Sequence, residues 1–367
     1  MANIIDADTH IAEPREMWQF LEPEWYPRRP VVVEVPSDTA YTTSNHMWLI
    51  DGQVYPRTAG KGGMFLVTPM SQEPGQDPPD AKARELTDLD MRLHDMDRLG
   101  ADLQVVYPTL FLTFLTHDAH FEVALCKAYN RFLADVYSRC PDRLRWVVVP
   151  PLRNIDATIR ELQFGKAHGA VGVFFRGIEK DLTLDDPYFF PVYEEAQALN
   201  LSLCIHQGSG SPALNMLVDI QRSHTFTHGR LPPLVAFRNL VANKIPELFP
   251  GLRWGFIETG ASWIPFVLHQ LKGVVRTSSD FWGPKLFEAY NMWISYEVAE
   301  DLPYLVQYIG EDHIVTGTDY GHHGRAGVPG DPSAQLHLVT ALRSQEVYPG
   351  RLVDKLLSDN PKALYGL

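Results

Sequence analysis

The chain has 367 residues, of which 45% are hydrophobic and 21% charged, with three cysteines and a formal net charge of −13. That length can bury a large core, and the hydrophobic content excludes a disordered chain. The acidic balance excludes a nucleic-acid partner, which needs clustered Lys and Arg.

The amino terminus offers no basic and apolar leader, and no run of about eighteen apolar residues occurs, so neither export nor a membrane span is expected. Three cysteines, Cys126, Cys140 and Cys204, cannot all pair and match no zinc module, which suits a reducing, cytoplasmic setting.

The first element is a strand at Ile4 to Asp8 inside "IIDADTH". Because side chains alternate along a strand, Asp6, Asp8 and His10 should share a face, as a costly charge cluster or as a metal site. The stretch 24–79 is rich in Pro and Gly, carries hairpin-like pieces such as "VVVEV" and "HMWLIDGQVY", and reads as an insertion after strand one. From residue 84 the rhythm is regular, with strands expected at 103–107, 144–149, 171–175, 201–206, 252–258, 292–297 and 313–319. Between them lie helical stretches such as "HFEVALCKAYNRFLADVYSR" and "NIDATIRELQFGKAHG", several ending at Gly. Repeated strand-then-helix order implies parallel strands with right-handed crossovers. Eight such units predict an α/β fold, a single TIM-type (β/α)8 barrel over residues 1–367 with the 24–79 insertion as a lid segment.

In such a barrel chemistry collects at the carboxyl ends of the strands. Those ends read Asp8 and His10, Tyr107, Phe175 and Arg176, His206, Glu258, Glu297 and Asp319. Taken one at a time, Asp8 reads as a cap, His206 as a satisfied core histidine and Glu258 as a partner for a helix start. Taken together at the ends of four strands, they read as ligands for Zn, Mn or Fe, because imidazole and carboxylate suit those ions and the charges otherwise lack partners.

These residues resemble the amidohydrolase superfamily, in its branch around aminocarboxymuconate-semialdehyde decarboxylase. "IIDADTH" is similar to that branch's D-x-(H/E/D)-x-H opening, "LCIHQGSG" to its strand-five His, "FIETGASWIP" to the motif after strand six and "VTGTDYGHH" to its strand-eight G-(S/T)-D-Y-x-H. The resemblance implies that Asp8, His10, His206 and Asp319 are metal ligands, with Asp319 also able to act as acid or base. There are two departures from the family pattern. Glu258 in "ETGA" stands where the branch's decarboxylases carry a His, and "VFFRG" offers no lysine to bridge two metals. With Glu258 as bridge and His322 from the loop after strand eight, the set also resembles a site for two Fe, as in oxygen-activating members on this scaffold.

His323 should line the pocket beside His322, whereas His224 and His228 in "HTFTH" read as a solvated surface. Arg176 is a candidate to hold a substrate carboxylate or to form a structural salt bridge. Tyr107 begins "YPTLFLTFL", which suits either a bulky apolar substrate or ordinary core. "GSGSPA" follows the fifth strand with no acid about twenty residues on, so it is no dinucleotide fingerprint. "QGSGS" lacks the first Gly of a serine-hydrolase elbow. Cys204, Trp254 and Phe256 read as barrel core, the last two on the face of Glu258.

The expected activity is metal-dependent hydrolysis or non-oxidative decarboxylation of a small carboxylated or acyl substrate, with Asp319, Glu258 and His322 as the catalytic candidates. A diiron oxygenase and a non-catalytic binding barrel are the alternatives. A small-molecule substrate is the expected partner, and a homodimer the expected assembly.

Overall fold

A computed structural model describes residues 3–36, 38, 45–57, 60–62, 66–70, 80–217, 229–324, 333–345 and 348–367. Its main sheet has eight strands: β1 (Ile5–Ile11), β5 (Leu103–Pro108), β6 (Leu144–Val148), β7 (Ala170–Phe175), β10 (Ser202–His206), β11 (Trp254–Ile257), β12 (Met292–Ser295) and β13 (Ile314–Val315). They pair in that order, neighbour to neighbour and in parallel. The intervening numbers belong to the insertion strands β2 (Val31–Glu34), β3 (His46–Ile50) and β4 (Gln53–Tyr55) and to the short pair β8 (Ile178–Glu179) and β9 (Leu182–Thr183). The barrel closes where β1 meets the chain after β13. Ala7 N–H donates to Thr316 O (3.3 Å), His10 N–H to Tyr320 O (2.6 Å) and Asp319 N–H to Asp8 O (3.0 Å).

The helices form where capping residues and apolar stripes direct them. Asp88 accepts from Met91 N–H to start 89–99, which stops at Gly100 with φ +79°, a conformation glycine adopts without Cβ strain. Asp118 and Asn154 cap 119–139 and 155–167 in the same manner. The expected strands and helices fall within a few residues of those observed. Among the described residues no helix is long and apolar enough to cross a membrane.

The carboxyl-terminal helix, 360–365, plugs the amino end of the barrel. Ser202 Oγ and Arg253 Nε donate to Leu364 O, and Tyr365 Oη donates to Ala7 O at 2.6 Å. The insertion strands form an antiparallel sheet, β2-β3-β4. It packs on the opposite, carboxyl face: Tyr55 Oη donates to Phe114 O (3.1 Å), Arg28 pairs with Asp51 (2.6 Å) and Asp118 (2.8 Å), and Gly62 N–H reaches Asn215 O (3.0 Å). His224 and His228 lie outside the described residues.

Two expectations about strand faces are corrected. Trp254 and Phe256 do not share the face of Glu258. They pack outward on helix side chains, Trp254 against Tyr193 (ring centroids 5.2 Å) and Phe256 against Phe237 (5.4 Å). Nor does Asp6 join Asp8 and His10. The register of β1 against β5 shifts between Asp6 and Thr9, and an extra residue on one strand breaks the alternation of faces. Asp6 accepts instead from Thr318 N–H (2.7 Å), Thr318 Oγ1 (2.6 Å) and Gln104 Nε2 (3.2 Å).

Candidate metal centre

Six side chains meet at the carboxyl mouth of the barrel: Asp8 and His10 from β1, His206 from the end of β10, Glu258 after β11, and Asp319 and His322 after β13. None is more than 4% exposed. His10 Nε2 lies 3.2 Å from His206 Nε2, 3.5 Å from Asp8 Oδ1, 3.6 Å from Glu258 Oε2 and 3.5 Å from Asp319 Oδ1. His206 Nε2 is 3.4 Å from Asp8 Oδ1 and 3.2 Å from Glu258 Oε2. His322 Nδ1 is 2.8 Å from Asp319 Oδ1 and 3.9 Å from Glu258 Oε2. The donors fall into two overlapping sets, Asp8–His10–His206–Glu258 and His10–Glu258–Asp319–His322, each with its atoms within 4.8 Å of one another.

Local backbone places these groups. Glu258 and Asp319 both adopt left-handed φ, +52° in each case, a conformation that costs a non-glycine residue on the order of 1 kcal/mol and concentrates at functional sites. At Glu258 it breaks the alternation that sends Trp254 and Phe256 outward and turns the carboxylate toward the imidazoles. In "VTGTDYGHH" the glycines let β1 come close. A Cβ at Gly317 would stand 2.4 Å from Asp8 N, and one at Gly321, whose φ is +110°, would stand 2.8 Å from His10 O.

The outer nitrogens are held so that the inner ones face the centre. His10 Nδ1 donates to Pro108 O (2.9 Å) and His206 Nδ1 to Gln207 O (2.8 Å), which leaves each Nε2 lone pair directed inward. His322 Nε2 meets Thr109 Oγ1 at 2.9 Å. Glu258 Oε1 accepts from Ser333 Oγ (2.6 Å) and from Gln207 Nε2. Burial opposes charge on both imidazoles of the first set. At His10 it wins and the pKa falls, whereas at His206 the attraction of Asp8 and Glu258 outweighs it and the pKa rises.

The set fits a divalent cation. Ligand atoms about 2.1 Å from one ion lie about 3.0–3.4 Å apart at octahedral or tetrahedral angles, and the spacings around His10 Nε2 run from 3.2 to 3.6 Å. Three buried carboxylates facing three imidazoles also form the kind of charge assembly that a cation balances.

The remaining candidates stand elsewhere. Arg176 forms the salt bridge: its Nε donates to Glu179 Oε2 at 3.0 Å, and its Nη1 to Thr113 O at 3.0 Å and Phe111 O at 3.4 Å. Tyr107 lies beneath the imidazoles with its ring 5.1 Å from that of His206, and its hydroxyl meets Tyr365 Oη at 2.7 Å, on the side of the plugging helix. His323 turns away, Nε2 bonding Asp80 Oδ2 at 2.8 Å. Sequence reasoning missed Thr109, Gln207 and Ser333, polar groups that contact this cluster among the described residues, and Glu13 behind Thr109. None carries a motif signal, and only the adjacency of Gln207 to His206 pointed toward the site.

Eight parallel strands with a divalent-cation ligand set at their carboxyl ends define the class: a TIM barrel built around a candidate metal centre. The amidohydrolase family model matches residues 5–367, and the chain belongs to that family. It is 23% identical over 296 residues to 2-amino-3-carboxymuconate-6-semialdehyde decarboxylase of Dictyostelium discoideum, covering 76% of this chain and 79% of that protein. Its fold is similar to that of an amidohydrolase from Mycobacterium avium subsp. paratuberculosis, with a TM-score of 0.75 at 19% identity, over 100% of this chain and 98% of the other. It is similar also to 5-carboxyvanillate decarboxylase from Novosphingobium aromaticivorans, solved with bound manganese, with a TM-score of 0.68 at 16% identity over 100% and 97% of the two chains.

Proposed function

We propose that the protein is a metal-dependent enzyme that removes CO2 non-oxidatively from a small carboxylated substrate. The observation that carries this reading is the convergence of six buried donors at the mouth of one barrel. A barrel that only binds would have no need to gather them. The decarboxylase relatives and the family membership support the same reaction class.

Asp8, His10, His206, Glu258, Asp319 and His322 would supply the ligands for the cation, four at a time as the two donor sets group them, so that a six-coordinate ion keeps positions open for substrate. Such a set of imidazoles and carboxylates suits Mn or Fe, and manganese is the ion bound in the carboxyvanillate relative. When bound, the cation supplies positive charge to a substrate carboxylate and a neighbouring oxygen. The protein supplies the proton. Asp319, whose Oδ1 lies 2.8 Å from His322 Nδ1, can carry one on its other oxygen, Oδ2, and deliver it to the substrate carbon. The C–CO2 bond breaks, CO2 leaves, and the electron pair left on carbon takes that proton. Burial of the cluster keeps bulk water from competing for the carbanion-like centre. Hydrolysis of an acyl substrate would use the same pair, with Asp319 accepting the proton of an attacking water.

One observation favours a second reading. The two donor sets share His10 and Glu258; a carboxylate can bridge two ions, so with Glu258 as the bridge and His10 assigned to one ion only, two Fe and activation of O2 are compatible with the same residues.

Metal analysis of the purified protein, followed by CO2 release and oxygen uptake with aromatic and muconate-type carboxylic acids, separates the readings. About one Mn or Fe per chain with CO2 release and no oxygen uptake is the expected result. About two Fe with substrate-dependent uptake would overturn it in favour of the oxygenase.

A further inference from the structure

We propose that Glu13 and Thr109 are positioning residues that fix the orientation of His322 from outside the donor set. The inference rests on the metal reading above and deepens it.

Glu13 lies just past the end of β1 and is wholly buried. Its carboxyl oxygens accept the backbone N–H groups of Thr109 (2.9 Å) and Leu110 (2.8 Å). These two N–H groups stand at the start of the short turn 110–112 that follows β5, where helical geometry leaves donors without partners of their own. A buried carboxyl costs several kcal/mol unless it is engaged, and here the engagement locks the turn to the strand that carries Asp8 and His10. The turn presents Thr109, whose Oγ1 meets His322 Nε2 at 2.9 Å. The opposite ring nitrogen, Nδ1, thereby faces Asp319 Oδ1 at 2.8 Å and Glu258 Oε2 at 3.9 Å.

His322 needs such a partner because it sits on a loop, with no strand or helix to fix its side chain. Arg84 holds the backbone of that loop through His323 O (2.8 Å) and Gly324 O (3.3 Å), but backbone contacts do not set the rotation of an imidazole. Stacking on His10, with ring centroids 3.5 Å apart, restricts tilt and still permits a ring flip that would put Cδ2 in the place of Nδ1 and Cε1 in the place of Nε2. The Thr109 hydroxyl favours one of those two arrangements.

The test is Mn2+ titration of metal-stripped protein, read by the electron paramagnetic resonance of the free ion. The variants are Thr109→Val, Thr109→Ser and Glu13→Gln, each made in the wild-type and in the His322→Ala background. Removing an outer partner of a ligand typically weakens metal binding 10- to 100-fold. Thr109→Val, nearly the same shape without the hydroxyl, should weaken Mn2+ binding about tenfold, Glu13→Gln should weaken it also, and Thr109→Ser should restore wild-type affinity. In the His322→Ala background neither Thr109→Val nor Glu13→Gln should cost anything further, because both act through that ring. Thr109→Val carries the test should Glu13→Gln fail to fold. Wild-type affinity in Thr109→Val, or the same loss with and without His322, overturns the proposal while leaving the metal reading intact. A wild-type protein that takes up no Mn2+, Fe2+ or Zn2+ overturns both.

Discussion

Glu258→Gln should act in opposite directions with and without metal. Glu258 belongs to both donor sets, so its carboxylate lies within 4.8 Å of those of Asp8 and Asp319. At an effective dielectric of 20, two unit charges at that separation repel by roughly 3.5 kcal/mol. Without a cation the cluster escapes part of this by taking up a proton, which costs about 1.4 kcal/mol for each pH unit above the ordinary carboxylate range. Attraction to the imidazole of His206, 3.2 Å away, offsets more. A net gain of about 1–3 kcal/mol for the metal-free variant follows from these opposing effects. An unfolding entropy of about 2.1 cal/mol/K per residue converts this to a Tm rise of roughly 1–4 °C. With metal the sign reverses. If the lost donor weakens Mn2+ about 100-fold, then at a concentration 1,000 times the wild-type Kd the stabilisation by metal falls from about 4.1 to about 1.4 kcal/mol. The Mn2+-induced Tm shift should therefore drop from about 5 °C to about 2 °C. Calorimetric melts in chelator and in Mn2+ measure both effects. An unchanged metal-free Tm together with an undiminished Mn2+ shift would refute the placement of Glu258 in the first ring of donors.

Asp319→Asn removes the carboxyl that delivers the proton and should lower CO2 release about 100-fold or more, with an unchanged far-ultraviolet dichroism spectrum; retention of a tenth of the wild-type rate would remove Asp319 from proton transfer. Gly317→Ala drives a Cβ to 2.4 Å from the backbone of Asp8. It should cost about 1–3 kcal/mol in urea unfolding and reduce Mn2+ affinity, since β1 must move. Burial pushes the Glu13 carboxyl up to about 8 from its ordinary 4.5, against the pull of the Thr109 and Leu110 N–H groups. Between those values the folded protein keeps a proton that the unfolded chain has released, so stability is full below about pH 4.5 and falls by about 1.4 kcal/mol per unit until about pH 8. Glu13→Gln has no such proton to lose, and its Tm in chelator should decline less than the wild type's between pH 5 and 8; parallel declines would show that Glu13 is not the group responsible.

The barrel was legible because its determinants are local and repeated. Eight runs of β-branched and aromatic residues alternate with capped amphipathic stretches, and the only closed arrangement of such units has their carboxyl ends at one mouth. The convergence of Asp8, His10, His206 and Asp319 follows largely from that topology, since β1 carries Asp8 and His10, His206 ends β10 and Asp319 follows β13. What topology does not give is side-chain direction wherever the backbone leaves regular geometry. The shifted register in β1 separates Asp6 from its neighbours at the i+2 and i+4 positions, and the positive φ of Glu258 reverses the face assigned to it by counting from Trp254. Neither deviation has a composition signal, because both residues are common types in uncommon conformations. Arg176, for which a structural salt bridge was one of two readings, and His323, expected in the pocket, are both paired. Each has a carboxylate within reach, Glu179 three residues on and Asp80 on the segment that enters the helix 81–84, and a pairing already formed removes the charge that made the residue attractive as a substrate contact. The groups behind the donors, Glu13 and Thr109 among them, were illegible on principle. Their roles depend on a contact between positions 96 residues apart, which exists only once the strand register brings the end of β1 beside the end of β5.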